Sequence, residues 1–283
     1  MIRPPSDEGF SPDWLTLREP ADARARSGAL ADRLARHLAD RAGTTGPPAT
    51  GPLVVHDLGC GTGSMGRWLA PRLPGPQRWV LHDRDPELLA RAVAGLPRAA
   101  ADGSPVTAVA APGDATRLTA ADLAGAVVTA SALLDLFTLE EVERLAAVCA
   151  EARCPALLAL SVAGRVELRP PDPLDAAVAA AFDAHQRREA GGRRLLGPDA
   201  GRAAAAAFTA LGARVDTEPS PWRLGPGDAG LAAEWLRGWL AAAAEQRPDL
   251  PVEPYRTRRS QEAAGGRLEI VVHHGDLLVT WPT

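Results

Sequence analysis

The chain of 283 residues contains no lysine, and isoleucine occurs only at Ile2 and Ile270. Its 31 basic residues are therefore all arginine, outnumbered by 35 acidic ones for a formal net charge of -4. Gripping a phosphate backbone needs a clustered basic surface, so nucleic acid is not an expected partner. Cysteine is scarce too. Cys60, Cys149 and Cys154 give neither an even count for a disulfide framework nor paired spacing for zinc, which fits a reducing compartment. No histidine stands at a spacing to Cys, Asp or a second His that argues for a metal, so none is expected. Long apolar runs are also missing: no stretch of ~18 such residues occurs, and the polar N-terminus lacks a signal-peptide core. A cytoplasmic protein without membrane contact is expected. Abundant alanine, arginine, glycine and proline suggest a high-GC, bacterial coding sequence.

What is present is a glycine loop. The apolar run Val54-Val55-His56-Asp57-Leu58 leads straight into Gly59, Gly61 and Gly63. Lacking Cβ atoms, glycines so spaced adopt positive φ and let backbone approach a ligand closely. Two cofactor classes fit such a loop. Gly61-x-Gly63-x-x-Gly66 matches the dinucleotide fingerprint that seats a pyrophosphate on a helix N-terminus. That register would end the strand at Cys60, behind a glycine that weakens strands. Ending the strand at Leu58 and opening the loop at Gly59 suits the residues better, and this segment then resembles motif I of the class I S-adenosylmethionine-dependent methyltransferases, acidic-x-Gly-x-Gly-x-Gly, with Asp57 in the acidic place.

The following segments extend the resemblance. A second apolar run, Trp79-Val80-Leu81-His82, ends at Asp83, 20 residues past Gly63, where a carboxylate can accept both ribose hydroxyls of an adenosine. Asp85-Pro86-Glu87 then reads as N-cap, first-turn proline and dipole-favoured acid of a helix. A third strand ends in Gly113-Asp114-Ala115, similar to the segment with which many class I methyltransferases hold the adenine amino group. A fourth ends at Ser131, before a stretch around Asp135 that resembles the region lining the methyl donor. The resemblance spans residues 50–165 in motif and implies S-adenosylmethionine as cofactor, S-adenosylhomocysteine as product, and methyl transfer to an oxygen or nitrogen of a small molecule. Cofactor contacts are expected from Arg18, Arg26, Asp57, Gly59, Cys60, Gly61, Gly63, Asp83, Arg84, Gly113, Asp114, Ala115 and Ser131. Arg18, Asp22 and Arg26 lie four apart on one helix face, so an arginine is a candidate clamp for the donor's carboxylate, or the three form a plain salt-bridge ladder. Asp135 and His185 are the candidate proton acceptors, a task open to a carboxylate or a neutral imidazole within hydrogen-bond reach. Cys60 reads as a small residue tolerated between glycines rather than a nucleophile.

Alternating strands and helices predict an α/β fold, a Rossmann-like, mostly parallel sheet with helices on both faces; the resemblance implies seven strands. Residues 1–50 are expected to form an N-terminal helical cap, with one helix over 13–42 and a linker over 43–52; residues 51–283 form the catalytic domain. Other expected elements are a fifth strand over 156–162, an insertion over 165–198 roofing the acceptor pocket with a helix at 174–188, a short helix over 119–123, a helix over 229–245 and a last strand over 267–274. An NAD-dependent oxidoreductase, an RNA methyltransferase and a non-catalytic cofactor-binding module remain open as alternatives.

Overall fold

The computed structural model describes residues 10–44 and 51–282. Most of the expected linker, and the N-terminal nine residues, lie outside the described residues. In chain order the elements are α1 (Pro12–Ala25), α2 (Gly28–Thr44), β1 (Leu53–Leu58), α3 (Ser64–Leu69), β2 (Gln77–Asp83), α4 (Pro86–Gly95), β3 (Val106–Pro112), β4 (Val127–Ser131), α5 (Leu139–Ala152) and β5 (Ala156–Arg169). Then come α6 (Asp175–Gln186), the hairpin β6 (Glu189–Ala190) and β7 (Arg193–Arg194), α7 (Ala200–Ala210), β8 (Arg214–Pro219), β9 (Trp222–Leu224), α8 (Ala229–Gln246), α9 (Val252–Ala264) and β10 (Glu269–Thr280).

The main sheet runs in the order β3-β2-β1-β4-β5-β10-β8, with the short β9 also pairing β10. The first five strands are parallel; β10 is antiparallel to β5, β8 and β9. This is the expected seven-strand path with one small addition. Successive residues feed opposite cores, as strand geometry requires. Val55, Val127, Leu157 and Leu278 pack under α2, α3 and α4. Leu58, Val128, Leu158 and Leu277 pack under α5 and α7. Full burial of each such side chain contributes roughly 1.5–3 kcal/mol. A third cluster, with Trp222, Trp235, Trp239, Tyr255 and Phe182, joins α6, α8 and α9 to the extended ends of β5 and β10.

Several boundaries differ from expectation. The helix expected over 13–42 is two helices. Arg26 is extended (ψ 138°), the Ser27 hydroxyl accepts from the Leu30 amide, and the Ser27 amide donates to Asp276 at 2.7 Å, which fixes the break. Strand β5 continues to Arg169 because β10 pairs with it along nearly its whole length. The expected insertion therefore begins with strand, and it contains the unforeseen hairpin β6–β7. Residues 119–123 form a turn, pinned by the Asp122 carboxylate, which accepts from the amide and hydroxyl of Thr119. Helix α9 was not anticipated: its polar sequence carries no apolar stripe, and it is held instead by fully buried Tyr255 and Arg259. Among the described residues no helix is long and apolar enough to cross a membrane.

Candidate active site

Strand β1 ends at Leu58, in the register read from the sequence, and Gly59, Gly61 and Gly63 all have positive φ (59°, 55° and 86°). A side chain would be strained at each of them. At Gly63 a Cβ would also stand 3.0 Å from the Cα and Cβ of Ala92, so this glycine sets how closely the loop and α4 approach. The loop is tied to its neighbours: the Cys60 amide donates to the His82 carbonyl at 2.9 Å, and the Gly61 amide donates to Asp83 Oδ2 at 2.9 Å. The other oxygen of Asp83 accepts from the Asp85 amide at 3.0 Å. Asp83 is thus oriented by two backbone donors, each using one of the lone pairs a carboxylate offers.

Beside this loop lies a cavity of about 570 Å³, at the carboxyl ends of the parallel strands where ligands bind in such sheets. Of the expected cofactor contacts, Arg18, Asp57, Gly59, Cys60, Gly61, Asp83, Arg84, Gly113, Asp114, Ala115 and Ser131 line it. Gly63 and Arg26 do not. Arg26 stands behind the wall, donating to the hydroxyls of Ser64 (2.7 Å) and Ser131 (3.0 Å), both of which line the cavity. Arg18 and Asp22 form a two-pronged ion pair (2.9 and 3.0 Å), but a buried one rather than a solvated ladder.

The acids differ in their surroundings. Asp114 accepts from the Thr116 amide and hydroxyl and from Arg84; partial burial raises its pKa, yet those donors outweigh it and hold it below the usual carboxylate value. Asp57 is fully buried. One oxygen accepts from the Thr129 hydroxyl at 2.7 Å, while Oδ2 has no partner among the described residues. Burial pushes this carboxyl up to about 7, against the Thr129 hydrogen bond and the Arg26 charge. Burial likewise raises the Cys60 thiol far above its ordinary value, so it is no thiolate nucleophile.

The candidate proton acceptors are placed elsewhere. Asp135 is buried in the turn Leu134–Leu136 and does not line the cavity. His185, on α6, lies 3.1 Å from Glu245 and 2.9 Å from Arg188, also outside the cavity; burial first and Arg188 second lower its pKa. Among the described residues no group of three or more His, Cys, Asp or Glu is placed to hold a metal ion. Sequence reasoning missed Leu15 and Thr62 in the lining, and Arg67, which ties Glu19 of α1 to the Thr62 carbonyl. No motif announces Leu15 or Arg67, since each depends on α1 folding back across the loop, whereas Thr62 stands inside the glycine motif between Gly61 and Gly63.

A buried, unpaired carboxylate oxygen and a glycine cradle fit a cationic, nucleoside-bearing ligand. The strand order argues against a dinucleotide site, because the NAD-binding sheet runs 3-2-1-4-5-6, whereas here antiparallel β10 enters between β5 and β8.

No curated protein matches the sequence at a significant level. Among solved structures the chain is similar to the cyclopropane synthase MmaA2 of Mycobacterium tuberculosis (11% identity, 96% of this chain and 94% of that one, TM-score 0.48). It is also similar to S-adenosylmethionine-dependent methyltransferases of Geobacter sulfurreducens (15%, 99% and 100%, TM-score 0.43) and Thiobacillus denitrificans (16%, 96% and 99%, TM-score 0.42), both in complex with S-adenosyl-L-homocysteine. Likeness at this level is too remote to speak to an acceptor. Residues 55–155 match the model of the methyltransferase domain family. That segment holds the glycine loop, Asp83 and Asp114, and over it the chain is similar to methyltransferase domains.

Proposed function

We propose that the protein transfers the methyl group of S-adenosylmethionine to an oxygen or nitrogen atom of a small molecule. The observation that carries this reading is the 570 Å³ cavity lined by the glycine loop, Asp83, Asp114 and Asp57, whose Oδ2 has no partner among the described residues. In this reading Asp83 takes the ribose hydroxyls and Asp114 the adenine amino group, while Asp57 and Arg18 meet the ammonium and carboxylate of the amino-acid end. When bound, the donor supplies an electrophilic methyl on a sulfonium. The chain's part is to hold the acceptor atom roughly 3–3.5 Å from that carbon, in line with the breaking bond, and to exclude water. Neither Asp135 nor His185 is assigned a role in the step, because neither reaches the cavity lining. Helix α1 and the segment 165–198 serve as the cap and lid around a cytoplasmic, small-molecule site.

Thermal unfolding tests the donor. S-adenosylhomocysteine at a hundred times its Kd adds about 2.7 kcal/mol, a Tm rise on the order of 5 °C for a chain of this size. NAD should give none; the reverse pattern sinks the reading. Asp83→Ala should weaken S-adenosylhomocysteine binding by ~1–3 kcal/mol through lost charged hydrogen bonds, as read by calorimetry.

A further inference from the structure

Past Ala132 the large cavity adjoins a second, smaller one of about 30 Å³; Arg18 and Ala132 line both. Its walls are aromatic, built by Trp14 of α1, Phe182 of α6, Trp222 of β9 and Trp235 of α8. Two polar side chains complete it. Gln186, only 7% exposed, has neither its carboxamide oxygen nor its nitrogen hydrogen-bonded, and His274, 6% exposed, has Nδ1 without a partner among the described residues. Leaving such groups unpaired in an apolar setting costs about 1–3 kcal/mol each, so the chamber is shaped to be filled by something polar. The space admits about two water-sized groups, which is a head group and not a whole ring.

The charges around the chamber say which head group. Arg18 is paired with Asp22, and Arg165 and His273 both reach Glu167, so among the described residues lining the chamber no free cation waits for an anion. Asp183, half-buried on the same wall, further disfavours an anion. A cation has donors only and leaves the Gln186 nitrogen without an acceptor, and the Trp222 face it would use is already covered by the Arg18 guanidinium at 4.9 Å. A neutral group remains. The unused carboxamide offers an acceptor and a donor side by side, and its complement is a group presenting N–H and C=O together.

We propose that this chamber is the acceptor subsite, and that it takes a neutral head group bearing an adjacent N–H and carbonyl, of the carboxamide or lactam kind, paired with Gln186. The proposal rests on the larger cavity being the donor site. The nucleophile then lies on the acceptor's side facing Ala132, where the two cavities join.

Three ligands of one shape and different charge test it: benzamide, benzoate and benzamidinium, titrated into the S-adenosylhomocysteine-loaded protein by calorimetry and by fluorescence of the chamber tryptophans. Benzamide should bind at least ten-fold more tightly than either ion. Gln186→Leu should abolish that preference, and Gln186→Glu, which keeps the shape but removes the donor, should reduce it. S-adenosylhomocysteine binding by each variant serves as the control for folding. Preference for an ion, no saturable binding by any of the three, or a preference unchanged in both variants overturns the proposal; in the second case the chamber holds only water. Failure of the wild-type protein to bind S-adenosylhomocysteine would instead overturn the donor reading, so the two are told apart.

Discussion

At the carboxyl ends of β2 and β3 the acids are held by the protein itself, Asp83 by two backbone amides and Asp114 by Thr116 and Arg84. In the aromatic chamber on the other side of Ala132, Gln186 and His274 keep polar atoms that nothing in the described chain engages. The first region is organised before any ligand arrives, and among its described residues Asp57 Oδ2 and Arg26 Nε are the buried polar atoms left unpaired. The second is defined by what it has left open. Preorganised groups suit a ligand shared by a whole family, since orientation is settled in advance. Open groups suit discrimination, because a site with buried polar atoms rejects molecules that fail to pair them.

Changes that act on one region or on the elements around them test this contrast. The largest effect is expected at Asp276, which lines neither cavity but ties α2, β5 and the approach to β9 together. Its carboxylate accepts from the Ser27 amide at the start of α2, the Leu160 amide in β5 and the Ser220 hydroxyl beside β9. Asp276→Ala strands three donors and should cost about 3–5 kcal/mol of stability in urea unfolding. A loss below about 1 kcal/mol would show that these elements do not depend on it. Next, Gly63→Val places a β-branched side chain at positive φ against the backbone of Ala92 and should cost ~2–4 kcal/mol. Donor affinity should fall with it, while tryptophan fluorescence from the chamber should not change; a change there would mean the regions are not separable.

A smaller effect is expected from pH. Asp57 sits near 7 because burial disfavours its charge. Pairing with an ammonium requires the ionised form, so binding below pH 7 releases a proton. Affinity for S-adenosylhomocysteine should therefore rise about ten-fold per unit up to pH 7 and level off above it. Asp57→Asn should flatten the slope; a slope that survives removes Asp57 from the contact. For folding the sign is opposite. The folded chain keeps this proton between the ordinary value of 3.8 and about 7, where the unfolded chain has lost it, so Asp57 favours the fold at low pH and less so as pH rises through that window. The smallest effect is expected at Arg84, whose bond to Asp114 is solvent-exposed; Arg84→Ala should change donor affinity by less than about 1 kcal/mol.

The same contrast explains what could be read from the sequence. The donor region is local: strand β1, its glycines, Asp83 and Asp114 fall within one short stretch, each at the end of an apolar run whose period and stop signals are visible. The register of Gly59 and the cap at Asp85 were legible for that reason, the latter confirmed by bonds from Glu87 and Leu88. The chamber is assembled from α1, β5, α6, β9, α8 and β10, so the residues that meet there are separated by up to 260 positions (Trp14 and His274) and share no motif. His185 looked available because its partner Glu245 is 60 residues away. Gln186, its immediate neighbour, carried no signal at all, since its meaning lies in bonds it does not make.

Arg18 belongs to both cavities. A side chain shared in this way makes the two occupancies a linked equilibrium. Any factor by which a filled chamber alters affinity for the donor must be returned unchanged when the donor binds first. Order of addition can then alter the rate at which the ternary complex forms, but not its stability.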